Sequence, residues 1–338
     1  MCHKYQCHIV PPYILEQLAK QGSNSCKRTL LETQRIAQSR NIAIHNLLQR
    51  NDKEGNGERI VYDCLNEYRQ KVQVARSEGQ DKVKDMATNQ AYDHSGFVRE
   101  YFIDTFQLNS LDGKGMPIVS NVHYGIGYNN AFWDGDEITY GDGDGGQFSN
   151  FSAAIDVVAH ELTHGITQFL GNLEYKGQSG ALNEHFSDVF ATIIKQKYLV
   201  QDIGEADWLI GDTIVGKEFP GKAIRSMKAP GSANEFDSQP DHMDQYYSGA
   251  SDNYGVHINS GIPNKVFYLS CMAIGIEDCA LIWFHTLTQL WRTANFNDML
   301  EVITRVTKEL IKENKVSSTA DIAIEESFSA VGIKNLFV

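Results

Sequence analysis

The stretch DVVAHELTHG, residues 156–165, decides how this chain is interpreted. It places His160 and His164 four residues apart, with Glu161 directly after the first histidine. On a helix this spacing puts both imidazoles on one face, where they can reach a single cation. Glu161 then lies to the side of the cation, where a carboxylate can act as a base on a metal-bound water. We therefore predict a helix over 155–170 that carries a metal centre.

The missing part of this centre is a third ligand from another element, because a catalytic zinc ion needs three protein ligands and one open position. The segment SGALNEHFSD supplies a candidate in Glu184, which follows His164 by 20 residues. Asp188 lies one helical turn beyond Glu184, and zinc-bound histidines commonly donate their other ring N–H to such a carboxylate. His185 points elsewhere on the helix and is not expected to be a ligand. The pattern predicts a catalytic zinc site.

Length and composition are those of an ordinary globular protein. The 338 residues exceed the size at which one core usually stops growing, so we expect two main domains. No stretch has the roughly 18–20 continuous apolar residues of a membrane helix. The net charge of −13 disfavours nucleic acid, because a phosphate backbone requires a basic surface. We expect a monomer with neither nucleic acid nor membrane as a partner.

The N-terminus lacks a basic segment followed by an apolar one, so no signal peptide is predicted. The expected location is the cytoplasm, or the outside reached by a leaderless route. The six cysteines are scattered, which favours reduced thiols over a disulfide framework. Cys2, His3, Cys7 and His8 stand close together, but their spacing matches known zinc sites poorly. An ordinary terminal segment is the better interpretation.

Charge is distributed unevenly along the chain. Residues 1–50 contain seven Lys and Arg against two Glu, a net charge of +5, which leaves −18 for residues 51–338. A basic segment before an acidic body is typical of a segment that docks on that body. RNDKEGNGER, residues 50–59, is interpreted as an exposed linker open to proteolysis. Before it, PPYILEQLAKQG predicts a short helix that begins near Pro12 and ends before Gly22.

Periodicity indicates the elements of the remaining chain. Apolar residues at helical spacing predict helices over 91–106, 182–198 and 296–314. Short aromatic runs broken by Asn, Asp and Gly indicate hairpins over 121–146. YGDGDGG, residues 140–146, lacks the downstream Glu of a calcium loop and the Lys of a phosphate loop, so we predict a tight structural turn.

Five consecutive motifs resemble those of thermolysin-like neutral metallopeptidases: NNAFWDGDEITYGDGDG, DVVAHELTHG, GALNEHFSD, IRSM and DNYGVHINSGIPNK. The resemblance implies an α+β fold with two lobes. A β-rich lobe at 51–170 includes the metal-binding helix, an α-helical lobe follows at 171–338, and the active site lies in the cleft between them. The implied activity is that of a zinc endopeptidase, with Glu161 as the general base and as the proton shuttle to the leaving amine.

The resemblance also assigns roles around the reacting carbonyl. Tyr175 and His257 would donate hydrogen bonds to the oxyanion as the tetrahedral intermediate forms. Asp252 would orient His257 and favour its protonated form. From the residues alone, His257 would be interpreted as a structural loop histidine.

Substrate binding is assigned in the same way. Asn130, Ala131 and Arg225 would hold the substrate backbone. Six apolar residues would line the pocket just after the scissile bond: Phe148, Phe151, Val157, Ile210, Ile214 and Ile224. An apolar pocket favours large hydrophobic side chains, so the expected cleavage is on the amino side of Leu, Phe or Ile.

One departure from the family concerns calcium. Members often hold paired calcium ions beside the central helix, and the matching carboxylates Asp156, Asp207 and Asp212 are present. Lys195 and Leu209, however, stand at positions expected to be acidic. An ammonium group repels a cation and can pair with the same aspartates instead. We predict that Lys195 replaces the paired calcium site.

The second departure from the family pattern is at the N-terminus. The usual long propeptide is absent, and residues 1–50 with PPYIL resemble the short propeptide of the protealysin-like subgroup. The resemblance implies that this segment covers the active cleft and is removed by the enzyme itself. Ligation of the zinc by Cys2 or Cys7 in the latent form is the less favoured alternative.

Two rival functions are weaker. An exopeptidase of the same chemistry needs an acidic motif such as GxMEN to grip the α-amine of its substrate, and the sequence has none. A binding protein with a structural zinc site leaves Glu161 unexplained, because a closed site needs no base.

Overall fold

The computed structural model describes residues 7–40 and 55–334, apart from the side chains of 37–40. The linker predicted at 50–59 lies partly outside these residues, and Cys2 lies wholly outside them. The chain divides into two compact units, Met1–Ile166 with Gly211–Lys222, and Thr167–Ile210 with Ala223–Val338. Within the described part, no helix is long and apolar enough to cross a membrane.

The first unit is built on a sheet whose strands run in the order β1-β5-β6-β4-β2-β3. The strands are β1 (Cys7–His8), β2 (Arg59–Asp63), β3 (Gln73–Ser77), β4 (Ile118–Val122), β5 (Ala131–Trp133) and β6 (Ile138–Tyr140). The pairs β2–β4 and β4–β6 are parallel, and the other pairs are antiparallel. β5 and β6 form a hairpin, as the 121–146 pattern predicts.

Among the residues described for this unit, four α-helices belong wholly or mainly to it: α1 (Pro12–Lys20), α2 (Asn24–Arg40), α3 (Met86–Phe106) and α4 (Ile155–Leu170). Pro12 opens α1, where its missing N–H has no helical partner to lose, and the predicted start is confirmed. α3 begins after Asp85, whose carboxylate accepts the Thr88 N–H at 2.6 Å. α3 packs on β2 and β4.

The YGDGDGG segment is a tight turn, as predicted. Asp144 Oδ1 accepts the backbone N–H groups of Gly146, Gln147 and Phe148 at 3.0, 2.7 and 3.3 Å. One carboxylate oxygen therefore closes the loop, which is the ordinary behaviour of an aspartate in a turn.

The second unit is mostly helical. Its helices are α5 (Gly177–Leu199), α6 (Ser251–Asn259), α7 (Gly261–Ile274), α8 (Ile276–Leu287), α9 (Phe296–Lys312) and α10 (Ala320–Ala330), and β7 (Leu209–Ile210) pairs with β8 (Arg225–Ser226). These confirm the helices expected at 182–198 and 296–314. α5 is buried on all sides over 179–196 and crosses α6 closely. A Cβ on Gly180 would lie 2.4 Å from Val256 Cγ1, so only glycine fits at this crossing.

Candidate active site and metal centre

Two histidines face each other on α4. The Nε2 atoms of His160 and His164 are 3.0 Å apart, and both side chains are buried. Val158, Leu162 and Ile166 lie two positions away from this pair, about 200° around the helix, and are fully buried. The apolar face fixes the rotation of α4, so both imidazoles are held on the opposite face.

Glu161 is fixed against the sheet of the first unit. Its Oε2 accepts the Trp133 N–H at 2.7 Å, at the end of β5, and its side chain is completely buried. The carboxylate is thus anchored by a neutral backbone donor. A carboxylate held by such a donor keeps the ability to accept a proton, which a base requires.

The metal ligands expected from the sequence come together. His160, His164 and Glu184 each offer one ligand atom, and the three atoms lie within 4.8 Å of one another. Two imidazoles and one carboxylate form a zinc ligand set that leaves a fourth position open. This donor set fits the predicted ion. Among the described residues it is the one such group, and Cys7 is not a member.

Glu184 belongs to a buried polar cluster within the second unit. The Tyr175 hydroxyl donates a short hydrogen bond to Glu184 Oε1 and lies 3.1 Å from His257 Nε2. On the other side of the ring, His257 Nδ1 is 2.5 Å from Asp252 Oδ1. Burial opposes the charged imidazolium, but the charges of Glu184 and Asp252 outweigh it and raise the pKa of His257 to about 9. The protonated form of the ring, in which both nitrogens carry an N–H, is therefore favoured.

Asp252 reaches His257 because the backbone makes a left-handed turn. Asp252, Asn253, Tyr254 and Gly255 all have positive φ, between 50° and 78°. The turn directs Asp252 Oδ2 to the backbone N–H groups of His257 and Ile258, at 2.8 and 3.2 Å. Asp252 Oδ1 forms the hydrogen bond with Nδ1 of the His257 ring. Three successive non-glycine residues in this region are unfavourable, so surrounding contacts must hold the turn.

Asp188 and Arg225 form a fully buried ion pair. Arg225 Nε and Nη2 donate to the two oxygens of Asp188 at 2.9 and 2.8 Å. Asn264 Nδ2 also donates to Asp188, at 2.9 Å. His185 and Trp283 continue this network, and burial lowers the pKa of His185 to about 4. His185 does not belong to the metal-ligand group, which agrees with its expected direction.

The N-terminal segment is hydrogen-bonded to Asn130 and Ala131, two of the three residues expected to hold a substrate backbone. Val10 N–H donates to Asn130 Oδ1 at 2.9 Å, and Asn130 Nδ2 donates to the Val10 carbonyl at 3.0 Å. Ile9 N–H donates to the Ala131 carbonyl at 3.3 Å. β1 extends the sheet as an antiparallel partner of β5, in the manner of a peptide added to a sheet edge.

The part of the N-terminal segment that follows β1 is held in place by contacts of α2. Thr29 Oγ1 accepts the Asn129 N–H at 2.9 Å, and the Tyr124 hydroxyl donates to Glu32 at 2.8 Å. Ile36 packs into a buried cluster with Cys64, Tyr124, Tyr128 and Phe132. Polar and apolar contacts together explain why the basic segment docks on the first unit.

The six apolar residues expected at the specificity pocket are all fully buried. Phe148, Phe151, Val157 and Ile214 belong to the first unit, and Ile210 and Ile224 to the second. Phe148 packs on Phe151 and on Phe219, with ring centroids 5.7 and 5.2 Å apart. Their role as one pocket stays a prediction.

Lys195 is buried near residues expected to hold calcium. Its Nζ donates to the Leu209 carbonyl at 3.0 Å and to Asp207 Oδ1 at 3.4 Å. Asp156 accepts the Gly211 N–H at 2.9 Å and the Val157 N–H at 2.9 Å. Asp156 and Asp207 thus already accept hydrogen bonds from other groups of the protein.

The comparisons with known proteins agree over nearly all of the chain. The family model described as "Thermolysin metallopeptidase, catalytic domain" matches residues 20–168, and "Thermolysin metallopeptidase, alpha-helical domain" matches residues 171–333. An extracellular metalloprotease of Pectobacterium carotovorum subsp. carotovorum is 39% identical, covering 97% of this chain and 96% of that protein. Protease PrtS of Photorhabdus sp. (strain Az29) is 37% identical, covering 96% and 92%.

A solved structure extends the likeness to the N-terminal segment. The precursor of protealysin, a metalloproteinase from Serratia proteamaculans, matches with a TM-score of 0.85 and 36% identity, covering 97% of this chain and 100% of that chain. The chain belongs to the thermolysin-like metallopeptidases and is a peptide hydrolase. Within that family it belongs to the protealysin-like group with a short N-terminal propeptide.

Three features had no signal in the sequence. The left-handed turn that begins at Asp252 contains only one glycine, so no turn rule predicts it. The bonds from Asn264 and Trp283 to His185 join residues 79 and 98 positions apart. The partner of Asn130, Val10, is 120 positions away. The hydrogen-bond network of His185, Asn264 and Trp283 near Asp188 therefore cannot be predicted from sequence neighbours and is seen only in the folded structure.

Proposed function

We propose that this chain is a zinc-dependent endopeptidase, made as a latent precursor, that cleaves on the amino side of large hydrophobic residues. The observation that carries the proposal is the metal-ligand group His160, His164 and Glu184, with Glu161 next to it in sequence. The ligand set leaves one coordination position for chemistry and places a carboxylate beside it.

The reaction needs a nucleophile, a base and a stabiliser for developing charge. His160, His164 and Glu184 would hold the zinc ion, which when bound would supply a Lewis acid and lower the pKa of a water molecule at the open position. Glu161 takes the proton from the attacking water and passes it to the leaving amine. Its hydrogen bond from Trp133 holds the carboxylate in one orientation through both transfers.

Tyr175 and His257 stabilise the oxyanion by donating hydrogen bonds. The proposal is supported by their proximity to each other and to Glu184. Asp252 holds the His257 ring through Nδ1, so that Nε2 presents its N–H. Such pre-oriented donors act where charge develops in the transition state.

Asn130, Ala131 and Arg225 hold the substrate backbone. In the precursor, the Val10 backbone makes two hydrogen bonds to the Asn130 side chain, and the Ile9 N–H donates to the Ala131 carbonyl, as a substrate strand would. Occupation of these groups by the N-terminal segment supports latency. We propose that residues 1–50 are the inhibitory propeptide and that the enzyme removes them itself, leaving lobes at 51–170 and 171–338.

The pocket lined by Phe148, Phe151, Val157, Ile210, Ile214 and Ile224 selects the residue after the scissile bond. Burying a side chain such as Leu or Phe in an apolar pocket is favourable by about 1.5–3 kcal/mol. Peptides with Leu, Phe or Ile at that position should therefore be cleaved faster than those with Asp or Lys.

We also propose that Lys195 takes the place of the paired calcium ions. The ammonium group lies against the Leu209 carbonyl and Asp207, both of which could otherwise serve a cation. A buried positive charge there repels a divalent ion and keeps the acidic region neutralised without metal.

One assay separates the endopeptidase from its rivals. Once residues 1–50 have been removed, the purified protein should cleave an internal bond of a peptide blocked at both ends, and a zinc chelator should abolish the cleavage. Glu161→Ala should be inactive with its zinc retained, while Glu325→Ala, a matched change on the exposed face of α10, should be fully active. Cleavage confined to peptides with a free amine would support an exopeptidase, and zinc binding without any cleavage would support a structural site.

A further inference from the structure

We propose that His185 is a positioning residue for Arg225. It acts through Asn264 and Asp188, so that the guanidinium points at the substrate backbone before the substrate arrives. This inference rests on the proposed function, because it takes the substrate-binding role of Arg225 from there.

A continuous hydrogen-bond chain connects the two residues. Trp283 Nε1 lies 2.8 Å from His185 Nε2, and His185 Nδ1 lies 2.8 Å from Asn264 Oδ1. Asn264 Nδ2 donates to Asp188 Oδ2 at 2.9 Å, and Asp188 receives Nε and Nη2 of Arg225. The chain therefore runs through α8, α5, α7 and β8.

The direction of every bond in this chain is fixed by its first member. An indole N–H can only donate, so His185 Nε2 must accept. A neutral imidazole that accepts at Nε2 carries its hydrogen on Nδ1, and this hydrogen goes to Asn264 Oδ1. The Asn264 amide is then oriented with its NH₂ group towards Asp188. Trp283 thus selects the His185 tautomer, and the tautomer selects the orientation of the amide.

Burial makes the chain sensitive to any break. All five side chains have no accessible surface, so water cannot take the place of a lost partner. Asn264 shares Asp188 Oδ2 with Arg225 Nε, so it fixes the plane of the carboxylate. A bidentate carboxylate in turn fixes the plane of a guanidinium. Loss of the His185 donor leaves Asn264 free to flip, and the orientation of Arg225 is no longer unique.

The test compares three variants of the chain with a matched control. His185→Leu removes the donor, and His185→Asn restores an amide donor close to the Nδ1 position. Trp283→Phe removes the bond that selects the tautomer. The control, His285→Leu, makes the same change at a half-buried histidine of α8 that does not belong to this hydrogen-bond series. KM and kcat per bound zinc are measured on a blocked peptide after residues 1–50 have been removed, with zinc content and the thermal midpoint as folding checks.

We expect His185→Leu to raise KM about tenfold with kcat changed less than about twofold, because a lost buried partner weakens binding of the substrate backbone. His185→Asn should recover most of this loss, Trp283→Phe should raise KM about threefold, and His285→Leu should match wild type. If His185→Leu does not fold, the comparison of Trp283→Phe with wild type decides. Unchanged KM in a folded, zinc-loaded variant overturns the inference alone, whereas a wild-type chain with no peptidase activity overturns the proposed function with it.

Discussion

The side chain of Asn130 holds the backbone of Val10 from both sides. Its Oδ1 accepts the Val10 N–H at 2.9 Å and its Nδ2 donates to the Val10 carbonyl at 3.0 Å. Both residues are buried, so neither bond competes with water. A side-chain amide that binds the N–H and the carbonyl of one residue can bind an extended chain of any sequence with a free N–H at that residue, and here the extended chain is the protein's own N-terminal segment.

Replacing Val10 with proline should weaken latency, because proline has no N–H for Asn130. The loss of one such bond is about 1 kcal/mol, or about a fivefold larger fraction of open precursor. We expect the initial rate of peptide cleavage by freshly purified precursor to rise about fivefold. Val10→Ala keeps the N–H and serves as the control. Equal initial rates for the proline and alanine variants would show that the Val10–Asn130 hydrogen bond does not contribute to latency.

His123 should make stability depend on pH. Its ring pairs with Asp142 at 2.8 Å and Asp85 at 3.2 Å, and the hydrogen bond to Asp142 raises its pKa from 6.5 to about 9 despite burial. The charged form is favoured in the folded state, so the stabilisation is complete below pH 6.5. It falls as pH rises towards 9 and is absent above that. Partial exposure of both aspartates limits it to about 2 kcal/mol.

The measurement is urea unfolding of His123→Asn and its parent, both carrying Glu161→Ala to prevent self-cleavage. His123 has φ of 55°, and asparagine tolerates that conformation, so the variant removes the ring without straining the backbone. The difference in unfolding free energy should be largest at pH 6 and vanish near pH 10. A difference that is the same at both pH values, or one also seen in His285→Asn, argues against the ion pair.

In the left-handed turn at 252–255, a glycine variant should be more stable than the matching alanine variant, which is the reverse of the usual order of stability in a helix. Tyr254 has φ of 66°, and its ring lies 4.6 Å from the Lys176 ammonium. Tyr254→Ala and Tyr254→Gly both remove that contact and differ only in the Cβ atom. Glycine should be more stable than alanine by about 1 kcal/mol, because only alanine keeps the left-handed strain. Calorimetry in the Glu161→Ala background would decide, and the opposite order would mean that the turn is not left-handed in solution.

Lys195 should make the fold independent of calcium. We expect the thermal midpoint of the wild-type chain to be unchanged by added calcium. Lys195→Glu should be destabilised by at least about 2 kcal/mol without calcium, through repulsion from Asp207, and should regain stability when calcium is added. Lys197→Glu, at an exposed position of the same helix, is the control. Two tightly held calcium ions in the wild-type protein would refute this replacement.

Local rules explain why the metal-binding helix could be predicted. The spacing of His160 and His164 follows from 3.6 residues per turn, and the buried Val158 and Leu162 follow from the same period. Pro12 marks the start of α1 because its missing N–H costs nothing there. Such features depend on neighbours within one turn of chain, so the sequence contains them directly.

Other features depend on contacts that local rules do not contain. The left-handed turn at Asp252 is unfavourable by itself, and only its fit around His257 keeps it in place. The bonds of His185 to Asn264 and Trp283 require three helices to pack first. Only the family resemblance assigns roles to His257 and Tyr175, since a loop histidine alone carries no such signal.

We propose above all that this chain is an endopeptidase kept latent by its own N-terminal segment and activated by self-cleavage that requires Glu161. Intact-mass spectrometry of the purified full chain during storage tests it most directly. We expect the wild-type chain to lose about its first 50 residues, the span of the basic segment, while Glu161→Ala keeps its full mass under the same conditions. Loss of the segment from Glu161→Ala at the wild-type rate, or a wild-type chain that stays intact yet cleaves peptides at full rate, would contradict it.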